Sequence, residues 1–157
     1  MSTIDSDSSD AEVRDTVERW LTEEAIEHDE VDDEHSVFNF SVRMGEFNLH
    51  VLKTNEGSDK IDIVSRLVLD EEQQETVAGL DERQTTELRT KLEGFLFQKR
   101  GTFEYGGDFE SLDYIDVSRI IYHDALDKDR FVNDLIETRK TVEFTNTTVF
   151  RYVDLIE

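Results

Sequence analysis

Residues 36–69, SVFNFSVRMGEFNLHVLKTNEGSDKIDIVSRLVL, decide the fold. In residues 36–44 apolar side chains alternate with polar ones, which is the period of two expected of a strand with one buried face. The alternation resumes after the turn residues 45–46, and residues 55–58 can turn the chain again before a third strand over 60–69. Three consecutive strands joined by short turns predict an antiparallel meander whose buried face needs cover.

Helices are predicted directly before and after this meander. Asp10 is expected to be an N-cap, and apolar residues at helical spacing follow it, so residues 11–27 are predicted to form an amphipathic helix. The acidic segment 28–35 (HDEVDDEH) is expected to be a loop. After the third strand, Asp70 is expected to cap a short helix over 71–80.

The C-terminal half adds a fourth strand and two further helices. A helix is expected to start at Glu82, and residues 102–113 are interpreted as a flexible loop or a short hairpin. Residues 114–122 alternate as a strand, and from Asp127 the chain is predicted to be largely helical, with a break at 146–148 as one option. The expected class is therefore α+β: an antiparallel sheet, made of a three-stranded meander plus at least one further strand, packed with helices.

The composition is that of one folded domain with a disordered start. The 157 residues are 36% hydrophobic and include ten Phe, four Tyr and one Trp, enough for a core. Residues 1–9 are rich in Ser and Asp and are expected to be a disordered acidic tail before a single α+β domain over 10–157. The chain has no cysteine, no N-terminal signal pattern and no apolar run of the ~18–20 residues that cross a membrane, so a cytoplasmic protein is expected.

Negative charge is the strongest compositional feature. Thirty-nine Asp and Glu against seventeen Lys and Arg give a formal net charge of −22. Such self-repulsion opposes a compact state in dilute buffer, whereas ~1 M salt shortens the screening length to roughly 3 Å. We therefore expect adaptation to a salt-rich cytoplasm; the alternative is an acidic protein that binds a basic partner. Nucleic acid is not an expected partner, because no basic stretch could release counterions from phosphates.

Four histidines are the candidates for catalysis or metal binding. His28 and His35 flank an acidic segment that could bind a divalent cation, but its spacing does not converge ligands, so a solvated loop is the favoured interpretation. His50 is expected on the surface of a strand. His123 and Asp124 could be an acid–base pair, yet adjacent strand residues point to opposite faces, so a hydrogen bond at the strand end is expected instead.

No catalytic or cofactor motif is found in the sequence. Residues 127–129 (DKD) start like a calcium loop, but Phe131 stands where an oxygen ligand is needed, so helix capping by Asp127 is favoured. A Gly-x-Ser-x-Gly elbow, a phosphate-binding loop and a dinucleotide fingerprint are all missing. Accordingly, no catalytic, cofactor-binding or metal-binding residue is assigned, no cofactor is expected, and a non-enzymatic role is favoured.

Three aromatic residues suggest a binding surface. Phe103, Tyr105 and Phe109 cluster in a segment that contains a Gly-Gly pair, and exposed aromatic side chains can anchor a partner. The alternative is that these rings fill the edge of the core between a helix and a strand.

The order of the elements, together with the segments 38–40 (FNF) and 121–124 (IYHD), resembles an uncharacterised archaeal domain family of halophile type. More remotely, it is similar to the α+β fold of type III secretion chaperones and their sensory-transduction-like bacterial relatives. The resemblance covers about 11–157 and implies homodimers and protein-binding surfaces rather than catalysis. It carries over no functional residue.

Three functions follow from these observations. The leading hypothesis is a non-enzymatic protein-interaction module, chaperone-like, that pairs with itself through a sheet edge or a helix face; it expects no membrane partner. The second is a small metal-binding protein or enzyme that uses His and carboxylates at 28–35 or at His123. The third is a small-molecule sensor domain, which requires a pocket between the sheet and the helices.

Overall fold

Four helices and six strands make up the described part of the chain. The computed structural model describes Ile4 and residues 7–99, 101–108 and 110–156. In chain order the elements are α1 (Asp10–Glu23), β1 (His28–Glu30), β2 (Phe38–Met44), β3 (Phe47–Lys53), β4 (Lys60–Val68), α2 (Glu71–Ala78), α3 (Glu82–Lys99), β5 (Thr102–Tyr105), β6 (Tyr114–Tyr122) and α4 (Lys128–Ile156). A short 3-10 turn, His123–Ala125, links β6 to α4.

The strands form one antiparallel sheet in the order β1-β2-β3-β4-β6-β5. Strands β2, β3 and β4 are the predicted meander, and β6 pairs with β4 along its whole length, from Lys60↔Tyr122 to Val68↔Tyr114. The edge strands are short: β1 has three residues and β5 has four. The predicted α+β class is confirmed, and β1 and β5 widen the sheet beyond the four strands that the alternation predicts.

Helix α1 differs from its prediction at both ends. The Ser9 hydroxyl accepts a hydrogen bond from the backbone N–H of Glu12 at 3.2 Å, so Ser9 rather than Asp10 is the N-cap. The helix ends at Glu23 instead of residue 27, because Ala25 has a φ of 54° and lies in the left-handed region. The carboxylate of Asp10 is consequently available for a contact with the sheet.

Residues 28–30, expected to be loop, form an edge strand instead. The register of β1 on β2 places Glu30 opposite Phe40, and Arg14 of α1 donates to the Glu30 carboxylate. The polar sequence HDE has no apolar alternation that could have predicted a strand. Its backbone groups pair with β2 whatever their side chains are.

The predicted caps of α2 and α3 are both present. The Asp70 carboxylate accepts from the backbone N–H of Gln73 at 2.7 Å, while the Gln73 side chain accepts from the backbone N–H of Asp70 at 2.9 Å. Asp81 and Gln84 make the same reciprocal pair of bonds at the start of α3. Both arrangements are capping boxes, which satisfy two of the free N–H groups of a helix start.

Residues 102–113 were predicted to be either a flexible loop or a short hairpin. The structure shows a hairpin, since β5 pairs antiparallel with β6. The possible break at 146–148 is absent, and α4 continues through it to Ile156. On this helix the buried hydroxyls of Thr138, Thr141 and Thr145 each donate to the carbonyl four residues earlier, so their burial leaves no donor unsatisfied.

Helices α1 and α4 cover one face of the sheet, and the main core lies between them. Ile4 joins this core with 7% of its surface exposed. The core contains residues with no exposed surface: Val13, Val17, Leu21, Phe40, Val42, Leu49, Val51, Ile61, Ile63, Phe131 and Leu135. A second cluster joins α2, α3 and α4 to Ile115 of β6.

The opposite face of the sheet, called the outer face below, has no helix packed on it in the described ranges. None of the described helices combines the length and the apolar composition that spanning a membrane requires.

Candidate functional site

The acidic loop that follows β1 is held by its own hydrogen bonds. The Asp33 carboxylate accepts from the hydroxyl of Ser36 at 2.7 Å and from the backbone N–H of His35 at 2.9 Å. These two bonds, that of Ser36 first, hold the pKa of Asp33 below its usual range. The His28 ring instead lies 2.7 Å from the Ile26 carbonyl oxygen. Across the described residues, no three His, Asp or Glu side chains converge as a metal site would require.

A short polar chain ties this loop to the outer face of the sheet. The Asn39 amide donates to Asp33 at 3.2 Å, and its oxygen lies 3.0 Å from Nδ1 of His50. His50 lies on the outer face of β3, where it is half-buried and its ring is oriented by Asn39. These contacts hold the loop, which contains five consecutive acidic or polar residues (32–36), at the edge of the sheet.

A buried ion pair lies at the end of the covered face, where α1 begins. The side chain of Lys53, the last residue of β3, is only 1% exposed, and its Nζ donates to Oδ1 of Asp10 at 2.5 Å. The second oxygen of Asp10 accepts from the backbone N–H of Gly57 at 3.3 Å. The hydrogen bond from Lys53 is the largest cause that lowers the pKa of Asp10. A charged lysine is tolerated in this interior because the carboxylate compensates it.

His123 lies beside this ion pair and is 2% exposed. The hydrogen bond expected at the strand end is made by its backbone, whose N–H donates to the Asp59 carbonyl at 2.7 Å. Neither ring nitrogen has a hydrogen-bond partner among the described residues. Burial is the first cause that lowers the pKa of His123, followed by the charge of Lys53, while Asp59 and Asp10 act in the opposite direction.

The neighbouring Asp124 is exposed whereas His123 is buried, so the two side chains do not form the acid–base pair considered from the sequence. The His123 ring is shielded from solvent, and it lies with Asp10 and Lys53 in a buried polar cluster at this end of the molecule.

A second buried ion pair joins β6 to α4. The Asp134 carboxylate, 5% exposed, accepts from Nη1 of Arg119 at 3.2 Å and from Nε of Arg130 at 2.9 Å. At the start of α4, Asp127 accepts from the backbone N–H of Arg130 at 2.8 Å, so the predicted capping role of Asp127 is confirmed. Of these contacts, the one between Arg119 and Asp134 links α4 to the sheet.

A small-molecule sensor would need a pocket between the sheet and the helices. In the described part of the chain, the buried apolar side chains of this region form three clusters, and Met44, Phe47 and Phe103 beside them are only partly buried. Grooves do exist on the surface, such as one of about 450 Å³ lined in part by Leu80, Arg89 and Asp108, but they are open to solvent.

The aromatic residues proposed to bind a partner lie at the β5 edge. Phe103 and Tyr105 are half-buried, point to the covered side and pack against the second core cluster. The Tyr105 hydroxyl donates to Glu93 at 3.3 Å, and burial raises the pKa of Tyr105. Phe109 lies outside the described residues. Phe103 and Tyr105 thus contribute to packing, and a role for the three rings in binding stays a prediction.

The outer face of the sheet leaves apolar side chains uncovered. Three of the four exposed large apolar side chains in the described chain lie there: Val68 at 67%, Ile120 at 41% and Tyr122 at 52% exposure. Leu52 and Val64 lie on the same face and are half-buried: Val64 is the diagonal neighbour of Ile120, whereas Leu52 lies on the other side of β4. We call Leu52, Val64, Ile120 and Tyr122 the outer patch.

Asp62 lies in the middle of the outer patch. Its cross-strand neighbours are Leu52 on β3 and Ile120 on β6. Burial raises the pKa of Asp62, and the charge of Lys60 lowers it by less. Its carboxylate makes no hydrogen bond or ion pair with the residues that the structure describes. A carboxylate that is half-buried among apolar side chains and has no hydrogen bond from the protein depends on solvent for its stabilisation.

The charges on the outer face nearly cancel. The six strands place three cations and four carboxylates there: Arg43, Lys60, Arg66, Asp29, Asp62, Glu104 and Asp116. Arg66 donates to both oxygens of Asp116 at 2.8 and 2.9 Å, and its guanidinium lies 3.7 Å from the Tyr114 ring centre. The net charge of −1 on this face contrasts with −22 for the whole chain.

The sequence reasoning missed both Asp62 and the outer patch. A signal was present, because in 60–68 and in 114–122 apolar residues occupy both alternating sets of positions, as Val64 and Ile120 do. A half-solvated strand with a fully polar outer side would not show this. Lys53 had a similar signal, since it continues the inward series of Leu49 and Val51.

Comparisons with solved structures show the fold in two other proteins. An uncharacterized protein from Methanothermobacter thermautotrophicus superposes with a TM-score of 0.78 at 22% sequence identity, covering 88% of this chain and 96% of its own. YbjN, described as "a putative transcription regulator from E. coli", superposes with a TM-score of 0.55 at 7% identity, covering 91% of each chain. At these identities the likeness concerns the fold alone.

No curated protein matches the chain in sequence. A family model described as "Uncharacterized conserved protein (DUF2299)" matches residues 13–149, which run from the first turn of α1 to the late turns of α4 and include the whole sheet. The chain therefore belongs to the uncharacterized conserved protein family DUF2299.

Proposed function

We propose that the chain is a non-enzymatic protein-interaction module, chaperone-like in its fold, that pairs with a second copy of itself through the outer patch. The observation that carries this proposal is the uncovered outer face, where Ile120 and Tyr122 are exposed beside the half-buried Leu52 and Val64. Apolar side chains clustered on one face of a soluble protein mark an interaction site.

Pairing through the face is favoured over pairing through a sheet edge. The edge strands have three and four residues, and β1 carries the acidic residues Asp29 and Glu30. Short charged edges offer few free backbone groups and repel a second edge. The outer face, by comparison, presents long central strands of seven to nine residues.

Charge favours a second copy over a basic partner at this surface. A basic protein would be drawn to the acidic remainder of the molecule, because that is where the negative charge lies. The outer face is almost neutral and carries both signs, so it suits a surface of the same composition. Two copies of a chain with a net charge of −22 repel each other least when these faces meet.

The outer face is large enough for such an interface. Six strands spaced about 4.8 Å apart span roughly 24 Å, and a seven-residue strand extends about 23 Å. The face therefore projects an area on the order of 550 Å², and its accessible area is larger because side chains stand out from it. Stable interfaces bury about 800 Å² on each partner.

The test is the oligomeric state of matched variants. Sedimentation equilibrium of the full chain in about 2 M KCl, chosen to screen the net charge, should show a dimer. Ile120→Ser should weaken the dimer about tenfold or more. Val31→Ser is the control, because Val31 is similarly exposed (37% against 41%) but lies beyond β1, four strands from β6.

A wild-type chain that stays monomeric at millimolar concentration would overturn the proposal. Equal effects of the Ile120 and Val31 substitutions would also overturn it, since the outer patch would then not be the contact. Far-UV circular dichroism of each variant establishes that the fold is retained.

We also propose that the module works in a salt-rich cytoplasm. The support is the net charge of −22, whose repulsion weakens as salt shortens the screening length. Circular dichroism across a KCl titration should show cooperative folding only when salt is added. Complete folding in dilute buffer would contradict this part of the proposal.

A further inference from the structure

Any surface that covers the outer patch must stabilise the carboxylate of Asp62. Its carboxylate has Leu52 and Ile120 on either side, and Lys60 and Val64 lie two residues away on the same face of β4. Covering the patch removes the water that now solvates Asp62. A covered carboxylate costs several kcal/mol unless the partner supplies a cation or a donor.

Lys60 is the suitably placed cation on the outer face. Its side chain makes no hydrogen bond or ion pair with the residues that the structure describes, and it is half-buried beside the patch. Arg66 is already bound to both oxygens of Asp116. Arg43 lies on β2, two strands away from β4 in the sheet.

Residues two apart on a strand stand on the same face about 6.6–7 Å apart. In a two-fold symmetric interface, a contact between residue i of one copy and residue j of the other is repeated as j with i. An axis that passes between Lys60 and Asp62 therefore places each of these side chains over the other in the second copy.

We propose that the outer face closes on a second copy through a reciprocal pair of salt bridges, in which Asp62 of each copy binds the ammonium of Lys60 of the other. This inference rests on the proposed self-pairing and deepens it, because it names the residues that set the register of the interface. The apolar side chains of the outer patch surround the pair and exclude water, so its Coulomb attraction is stronger than on an open surface.

Charge reversal tests the pair directly. Asp62→Lys alone puts lysine against lysine at both contacts, and Lys60→Asp alone puts aspartate against aspartate. Each single variant should raise the dimer dissociation constant at least about tenfold. The double variant Asp62→Lys with Lys60→Asp should return to within about threefold of wild type, because both contacts are attractive again.

Mixing the two single variants gives the sharper result. The Asp62→Lys copy has a lysine at both positions of the pair, and the Lys60→Asp copy has an aspartate at both. These copies meet through two attractive contacts, so the mixture should form a heterodimer although neither variant self-associates. Sedimentation equilibrium in the same KCl buffer measures this, because the mixture should sediment as a dimer while each variant alone sediments as a monomer. Arg43→Asp is the control: it reverses a charge on the same face, away from the pair, and should change the dissociation constant by less than about threefold.

The outcomes separate this inference from the function on which it rests. If the wild type dimerises and Ile120→Ser weakens the dimer, but the charge reversals have no effect or are not rescued, the salt-bridge pair is wrong and the outer patch stands. If the wild type is monomeric, both fail. Circular dichroism of each single variant shows whether the variant is folded. Formation of the heterodimer is independent evidence that both single variants are folded.

Discussion

The two faces of the sheet differ in whether their buried and half-buried charged side chains have ion-pair partners. On the covered face, Lys53 and Arg119 are buried but each has a carboxylate within 3.2 Å, from Asp10 and Asp134 respectively. On the outer face, Asp62 is half-buried and has no such ion pair among the described residues. The comparison teaches that the two buried cations of the covered face are paired within one chain, whereas Asp62 on the outer face has no ion-pair partner among the described residues.

The largest effect should come from removing the shared carboxylate of α4. Asp134→Ala deprives Arg119 and Arg130 of the side chain that binds them both, so the free energy of unfolding should fall by roughly 3–5 kcal/mol. Urea unfolding measures the change. Glu143→Ala is the control, because Glu143 is exposed and lies 3.5 Å from Arg139, and it should cost no more than about 0.5 kcal/mol. Equal losses in the free energy of unfolding for Asp134→Ala and Glu143→Ala would contradict the importance assigned to the buried ion pairs of the covered face.

The ion pair at the start of α1 should have the next largest effect. Asp10→Ala leaves the ammonium of Lys53 in the core without its carboxylate, and we expect a loss of about 2–3 kcal/mol, less than for a fully buried pair because Asp10 is 26% exposed. Adding Lys53→Met should recover most of this loss, since an apolar chain replaces the buried cation. Failure of the second substitution to restore urea stability would show that Asp10 acts through Gly57 instead. The exposed Asp15→Ala is the control.

Acid should weaken the same end of the molecule through His123. Because burial lowers its pKa in the folded state, His123 binds a proton more readily when the chain is unfolded. Its contribution to stability is therefore complete above the unfolded pKa of about 6.5 and is lost as pH falls from there toward the folded pKa. His123→Leu should flatten the pH dependence of urea unfolding in this window, whereas His35→Gln, at an exposed position, should leave the slope unchanged.

The smallest effect should be a gain in stability on the outer face. Burial raises the pKa of Asp62, so its ionised form destabilises the monomer at pH 7, and this penalty declines as pH falls from the folded pKa toward the unfolded pKa of about 3.9. Asp62→Asn should therefore stabilise the dilute monomer by about 0.5–1 kcal/mol at pH 7 and by less at low pH. Asp29→Asn, on the exposed β1 edge, should change neither value, and a loss of stability in the Asp62 variant would contradict the comparison.

The sequence predicted the centre of the fold well because alternation is a local signal. The bounds of β6 and the cap at Asp70 could be read from neighbours a few residues away. Strand β1 could not be predicted in this way, since the pairing of residues 28–30 depends on β2 and not on their own side chains. The same limit applies to the site: Asp62 acquires its neighbours Leu52 and Ile120 through register, which joins residues that are up to 58 positions apart in the sequence.

The short edge strands have a consequence for how far assembly can proceed. In concentrated salt, charge repulsion no longer keeps copies apart, and a long open edge would recruit strand after strand into a fibre. Here β1 and β5 end the sheet after three and four residues, so edge-on growth has almost no template. Under the proposed two-fold pairing, the outer faces of both copies are covered at once, so assembly would end at the dimer.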